Sequence, residues 1–131
     1  MDLPRTNIIT FRLALLAALA VIMHLATTQI NYPVVENMND KVNHILAFYV
    51  LGFLADFSFP RKNFGFTKVL PLLGFGLLIE VIQYFLPYRT SSLYDLAADA
   101  AGLAVYWASL PALKHLPLLR RRWNVEAKNY G

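Results

Sequence analysis

The chain has 131 residues and no cysteine, 57% of its residues are hydrophobic, 15% are charged, and its formal net charge is +4. A soluble domain is about half apolar and about a quarter charged, so the composition excludes an ordinary soluble protein and indicates a membrane protein. The lack of cysteine excludes disulfides, thiol nucleophiles and cysteine-type zinc sites. The basic residues flank apolar runs, which predicts contact with lipid headgroups and no nucleic-acid partner.

Four apolar segments approach the length of roughly 20 residues that a helix needs to cross the hydrocarbon core. Each is predicted to be helical, because backbone groups in lipid must be paired within the segment. The predicted helices cover residues 8–28, 42–59, 66–86 and 93–113. We therefore predict an all-α integral membrane four-helix bundle as one domain over residues 1–131, with a basic cytoplasmic tail over residues 114–131.

The first predicted helix also has features of a secretory signal peptide, since its start is basic and its centre is apolar. Its apolar run is longer than the centre of a typical signal peptide. No small-x-small cleavage site precedes a mature domain. We therefore expect this helix to be an uncleaved anchor, and a cleaved signal peptide is the alternative.

Polar residues interrupt the other three helices near the ends that are predicted to lie at the outer face of the membrane. Glu80 is about six residues from the end of the third helix, which is roughly 9 Å at 1.5 Å per residue, and Asp99 of the fourth lies at similar depth. At about 100° per residue, the polar residues of each helix share one face. These matching stripes predict that the second, third and fourth helices surround an outward-opening polar pocket.

Intramembrane ionisable groups usually pair with one another or line a cavity, because a carboxylate that faces lipid costs several kcal/mol. Arg89 and Lys41 are candidates to hold a phosphate or a carboxylate, since arginine suits bidentate recognition of such groups. No metal and no other cofactor is predicted, because the spacing matches no motif such as His-Glu-x-x-His. We predict catalytic roles for His44, Glu80 and Asp99, and substrate-binding roles for Asp40, Lys41, Gln83, Arg89, Ser92 and Asp95. The alternative is that these residues only hold the helices together through interhelical hydrogen bonds.

Two stretches resemble the VanZ-like family of membrane proteins. They are DKVNHILAFYVLGF, residues 40–53, and EVIQYFLPYRTSSLYDLAADAAG, residues 80–102. The family pattern is Asp-Lys-x-x-His, then Glu-x-x-Gln, then an Arg, an Asp and a polar residue before a Gly. The resemblance covers about residues 38–106 and marks Asp40, Lys41, His44, Glu80, Gln83, Arg89, Asp95 and Gly102.

The chain departs from the family pattern at two positions. The family usually has Asn where this chain has Asp99, and Tyr where it has Phe48. The neighbouring Tyr49 points about 140° away from His44 around the helix, since each residue turns a helix by about 100°. The additional carboxylate makes the predicted pocket more acidic than the family pattern implies.

The VanZ-like family is named for resistance to glycopeptide antibiotics, specifically teicoplanin. The resemblance therefore implies a multi-pass protein of the bacterial cytoplasmic membrane that acts at its outer face, where it would affect glycopeptide susceptibility. It implies no particular reaction.

Three hypotheses about function remain open. The first is an enzyme that acts on a membrane lipid or a lipid-linked envelope precursor. The second is an accessory protein that binds such a headgroup without chemistry. The third, a small transporter, is less favoured, because four helices are few for transport without a homo-oligomer and no broken-helix repeat is visible.

The distribution of basic residues predicts the orientation in the membrane. Ten of the 12 Lys and Arg residues lie at the N-terminus, between the second and third helices, or in the tail, and only Lys41 and Arg89 lie in the other connections. The positive-inside rule then places both termini in the cytoplasm. A reporter that is active only in the cytoplasm should be active when fused after Gly131. Activity of a reporter that works only in the periplasm would contradict this orientation.

Overall fold

The computed structural model describes residues 5–29, 40–117 and 119. Its described part contains four helices and no strand, which confirms the all-α prediction. The helices are α1 (Arg5–Thr27), α2 (Asp40–Ser58), α3 (Phe66–Phe85) and α4 (Leu93–Leu113). Their ends lie within three residues of the predicted ends. Most of the connection between α1 and α2, and the tail after residue 119, lie outside the described residues.

Three of these helices, α1, α3 and α4, are long and apolar enough to cross a membrane. The helix α2 does not meet the same criterion, because it carries polar residues at both of its ends. Large apolar side chains point away from the protein on every helix, and Leu16 and Leu93 are 63% and 82% exposed. Such extensive apolar exposure is typical of a surface that faces lipid.

The helix α2 is the centre of the fold. It packs most extensively against α4 and also contacts α1 and α3. Phe48 and Leu51 of α2 and Leu103 and Tyr106 of α4 are almost fully buried between the helices. By contrast, α1 has no buried residue. The polar character of α2 is therefore accommodated by protein neighbours, whereas α1 mainly faces outward.

A glycine allows α2 and α4 to approach each other closely. A Cβ atom at Gly102 would collide with the backbone carbonyl of Ile45, whereas a Cβ at Gly74 would meet nothing within 4 Å. Small residues commonly permit such close backbone contact between membrane helices. A methyl group at Gly102 would overpack this contact at a typical cost of about 1–3 kcal/mol. The glycine marked by the family pattern therefore has a packing role.

A buried ion pair joins three helices at the end of the bundle away from His44. Lys68 Nζ of α3 lies 2.8 Å from Asp56 Oδ1 of α2, and the Tyr106 hydroxyl of α4 donates to Asp56 Oδ2 at 2.7 Å. Lys68 also donates to the backbone carbonyls of Phe59 at 3.0 Å and Lys62 at 2.6 Å. These bonds explain how a lysine and an aspartate are buried together without leaving either charge unpaired.

Candidate functional site

Two basic residues of α2 meet two carboxylates of α4 at the other end of the bundle. His44 Nδ1 forms a 2.7 Å hydrogen bond with Asp99 Oδ1. Lys41 Nζ donates a hydrogen bond to Asp95 and lies 3.5 Å from Asp40 Oδ2. The two pairs are adjacent because residues three or four apart lie on one helix face. The predicted stripes on these two helices thus face each other.

His44 lies among three carboxylates. Its Nε2 is 3.9 Å from Asp40 Oδ1 and 3.9 Å from Asp95 Oδ2, whereas Asp99, which binds Nδ1, is only 1% exposed. An ionised carboxylate can only accept hydrogen bonds, so with Asp99 ionised Nδ1 carries a proton. The buried carboxylate then orients the ring, and Nε2 is the nitrogen that remains for exchange with another molecule.

Glu80 connects α3 to the first turn of α4. Its Oε2 accepts a 2.9 Å hydrogen bond from the backbone N–H of Ser92. Ser92 is the N-cap residue of α4, and its hydroxyl accepts a 3.1 Å hydrogen bond from the N–H of Tyr94. The second oxygen of Glu80, Oε1, is buried and has no partner within the described ranges. Glu80 and Ser92 therefore hold the start of α4, three residues before Asp95.

Side chains from the end of α3 and the connection after it hold the C-terminal end of α1. The last carbonyls of a helix lack partners within the helix and form the negative end of its dipole, so donors, and cations especially, stabilise them. Three residues supply four such bonds. They are Gln83 Nε2 to Ala26 O (2.9 Å), Tyr88 Oη to Thr27 O (2.6 Å), and Arg89 Nη2 to Leu25 O (2.8 Å) and Thr28 O (2.6 Å).

The sequence predicts that the side chain of Arg89 reaches towards Glu80 and Asp95 or to a ligand headgroup. Its guanidinium binds two carbonyls of α1, and binding to a headgroup stays a prediction. Its Nε is buried and has no partner in the part of the chain that is described. The local reason for an arginine in this connection is thus the end of α1.

A cavity of about 190 Å³ lies between α1, α2, α3 and Arg89. Its polar wall comes from α2, α3 and Arg89, and α1 supplies only apolar residues. The lining residues are Ile22, Leu25, Ala26, Asp40, Asn43, His44, Ala47, Phe48, Ile79, Gln83 and Arg89. The sequence predicted a pocket between the second, third and fourth helices. The cavity instead lies between α1, α2 and α3, and α4 contributes no lining residue. Asp99 of α4 contacts the cavity residue His44 through a hydrogen bond.

Two residues that line the cavity each contain a buried polar atom with no hydrogen-bond partner among the described residues. They are the carbonyl oxygen Oε1 of Gln83, an acceptor, and the Nε–H of Arg89, a donor. Gln83 is only 7% exposed. Most buried polar atoms in proteins have a hydrogen-bond partner, so these two atoms are exceptions. Both are buried, so neither faces the open space of the cavity.

Three residues, of which two line this cavity, could hold a cation. One ligand atom from each of Asp40, His44 and Asp95 lies within 4.8 Å of the others. Lys41 contacts both carboxylates, however, so its ammonium group already supplies a positive charge there. A metal ion would have to compete with Lys41, and the prediction of no metal stays a prediction.

All nine predicted site residues lie at one end of the bundle, but they have different surroundings. Asp40, His44, Gln83 and Arg89 line the cavity. The other five form the pairs behind it or hold the start of α4: Lys41, Glu80, Ser92, Asp95 and Asp99. Sequence reasoning missed Asn43 and the apolar residues of α1. Asn43 is three residues after Asp40, so helical spacing could have identified it, whereas nothing distinguishes the lining residues of α1 from their apolar neighbours.

The sequence profile of a family described as VanZ/LLP1 matches residues 3–114. The match covers all four helices and every predicted site residue, and it extends beyond the region of about residues 38–106 that carries the resemblance. No curated protein and no solved structure matches the chain.

The contacts of Arg89 predict that it holds the end of α1 in place. Arg89→Ala should increase hydrogen exchange of the backbone amides near the end of α1 by about thirtyfold, because two bonds to helix-terminal carbonyls are lost, each worth about 1 kcal/mol. Arg89→Lys should have a smaller effect, since an ammonium keeps the charge but lacks the planar fork. Arg61→Ala, at an exposed position, is the control. Unchanged exchange in Arg89→Ala would contradict this role.

Proposed function

The chain belongs to the VanZ/LLP1 family, and on this premise we propose that its cavity binds the headgroup of a membrane lipid or of a lipid-linked envelope precursor. The protein would do so as a single multi-pass domain at the outer face of the bacterial cytoplasmic membrane. There it would affect susceptibility to glycopeptide antibiotics, as the family resemblance implies. His44 would exchange a proton with the bound headgroup.

The observation that carries the proposal is the position of His44, bonded to the buried Asp99, on the wall of an amphipathic cavity. The cavity is lined by the polar residues Asp40, Asn43, His44, Gln83 and Arg89 and by apolar side chains of α1, α2 and α3. A lipid likewise combines a polar headgroup with apolar chains. Small-molecule sites are commonly concave and largely apolar, with a few polar groups that fix the orientation of the ligand.

The arrangement supports a proton-transfer role for His44 in particular. Histidine is the side chain that most often acts as general acid or base near neutral pH. Asp99 is buried and bonded to Nδ1, so it would act through His44 as a positioning residue. Glu80 holds the start of α4 through Ser92, and its influence on the headgroup would pass through the placement of Asp95.

A second candidate function is binding without chemistry, and a specific observation favours it. The cations of the site are already engaged by the protein itself, since Lys41 contacts Asp95 and Arg89 binds α1. Neither cation is therefore positioned to stabilise negative charge that develops in a transition state. The cavity could therefore serve an accessory protein that sequesters or presents a headgroup.

Two substitutions should distinguish these functions. Ala47→Phe fills the cavity from α2, so protein purified gently should lose the lipid that the wild type retains in native mass spectra. His44→Gln leaves the cavity open and should retain that lipid. If His44 transfers a proton, His44→Gln should also abolish the effect on teicoplanin susceptibility in cells that express the protein.

The control is His115→Gln, which changes an exposed histidine at the other end of the bundle and should behave like the wild type. A normal susceptibility effect in His44→Gln would favour binding without chemistry. Retention of the same lipid by Ala47→Phe and the wild type, at equal occupancy, would contradict the proposed site altogether.

A further inference from the structure

Three helices meet at Gly76 of α3, next to the carboxylate that binds His44. Gly76 is buried, and a Cβ atom there would lie 2.5 Å from Asp99 Oδ2 of α4 and 3.1 Å from Phe48 Cζ of α2. Real Cβ atoms essentially never approach another atom to less than 3.0 Å. The carboxylate of Asp99 therefore occupies space that the side chain of any other residue at position 76 would fill.

The requirement for glycine is specific to this position of α3. Gly74, two residues earlier, is exposed, and a Cβ atom there would meet nothing within 4 Å. Glycine is a poor helix-forming residue, so Gly76 weakens the helix locally unless the space that it leaves is used. The protein uses that space for one oxygen of Asp99.

The other oxygen of Asp99 is the one that holds His44. Oδ1 binds His44 Nδ1 at 2.7 Å, and the two oxygens are joined rigidly through Cγ. A methyl group at Gly76 would have to move Oδ2 by at least 0.5 Å, from 2.5 to 3.0 Å. Asp99 is only 1% exposed, and a side chain in a close-packed interior cannot move without disturbing its neighbours. Displacement of Oδ2 would therefore lengthen or bend the bond between Oδ1 and His44.

Gly76 differs in this respect from Gly102, whose role is packing. A Cβ atom at Gly102 would meet the backbone carbonyl of Ile45, so a substitution there separates α2 from α4. A Cβ atom at Gly76 would meet a side chain whose position sets the orientation of the imidazole ring. Gly102 thus controls the distance between two helices, whereas Gly76 controls the geometry of the bond between Asp99 and His44.

We propose that Gly76 is a positioning residue of the site, which acts on His44 through Asp99. The inference rests on the proposed function, in which His44 exchanges a proton with the headgroup, and it deepens that function by giving α3 a part in it. The bond to an ionised Asp99 keeps a proton on Nδ1, because the hydrogen bond made by one ring nitrogen decides which nitrogen is protonated. Gly76 thereby keeps Nε2 free for the bound headgroup.

The test is nitrogen NMR of the full chain in detergent, with isotope-labelled histidine, at an alkaline pH where the ring is neutral. The chain has three histidines, and the His44 signals are identified by their loss in His44→Gln. In the wild type, we expect the proton on Nδ1. Gly76→Ala should lower this preference at least about tenfold, because a hydrogen bond to a charged group is worth that much or more. A purely structural role of Gly76 would lower the melting temperature and leave the tautomer of His44 unchanged.

Two variants serve as matched controls. Gly74→Ala introduces the same methyl group at an exposed position of α3 and should leave the His44 signals as in the wild type. Asp99→Ala removes the carboxylate, so the addition of Gly76→Ala to it should cause no further change in the His44 signals. A further change as large as that in the wild-type background would assign the effect to Phe48 and overturn the proposal.

Folding provides a second measurement if Gly76→Ala gives no folded protein. The double variant Gly76→Ala/Asp99→Ala should then fold as well as Asp99→Ala alone, because the carboxylate that the methyl group displaces is gone. Failure of the double variant to fold, while Asp99→Ala folds, would overturn the proposal.

Failure of this inference can be separated from failure of the proposed function. Wild-type His44 signals in Gly76→Ala would overturn the positioning role, whatever lipid the cavity binds. Altered His44 signals together with an unchanged effect on teicoplanin susceptibility would support the positioning role and overturn proton transfer by His44.

Discussion

The pairing of α2 with α4 through oppositely charged side chains is the constraint on which the rest of the structure depends. Asp95 and Asp99 would be costly in an apolar environment without partners, and Lys41 and His44 supply those partners. Because each pair requires a particular helix face, the pairs fix how α2 is rotated against α4. Gly102 then allows the close approach. The fold is held by the same charges that form the candidate site.

Substitution of the site residues should therefore also change the stability of the bundle. At the opposite end, Asp56 binds both Lys68 and Tyr106, so α2 is fixed at both ends by carboxylates. Breaking a buried pair by removing one partner typically costs about 3–5 kcal/mol. The orientation of His44 is therefore preorganised by contacts that also stabilise the protein, which suits its proposed role of presenting one nitrogen to a ligand.

The helix α1 has a different role, because it has no buried residue. It covers the cavity with Ile22, Leu25 and Ala26, and its end is held by hydrogen bonds from Gln83 and Arg89 and by one from Tyr88. Two of the residues that hold it also line the cavity. A ligand that binds Gln83 and Arg89 would thus contact the residues that fix α1, which couples occupancy of the cavity to the position of this helix.

Much of this organisation could be predicted from the sequence. Hydropathy located all four helices, and the spacing of polar residues predicted that they gather at one end. The contribution of α1 to the cavity could not be predicted. Arg89 binds backbone carbonyls of α1, and carbonyls leave no signature in the side-chain pattern. The pairing of Lys68 with Asp56 could not be predicted either, since the two residues meet only when α2 and α3 pack together.

A structure of the full chain in a lipid bilayer, at a resolution that reveals headgroups, is the most direct test of the cavity as a binding site. The account predicts a bound molecule between α1 and α2 whose polar part lies within hydrogen-bonding distance of His44 Nε2. A cavity closed by its own side chains, with no molecule beside His44, would contradict it.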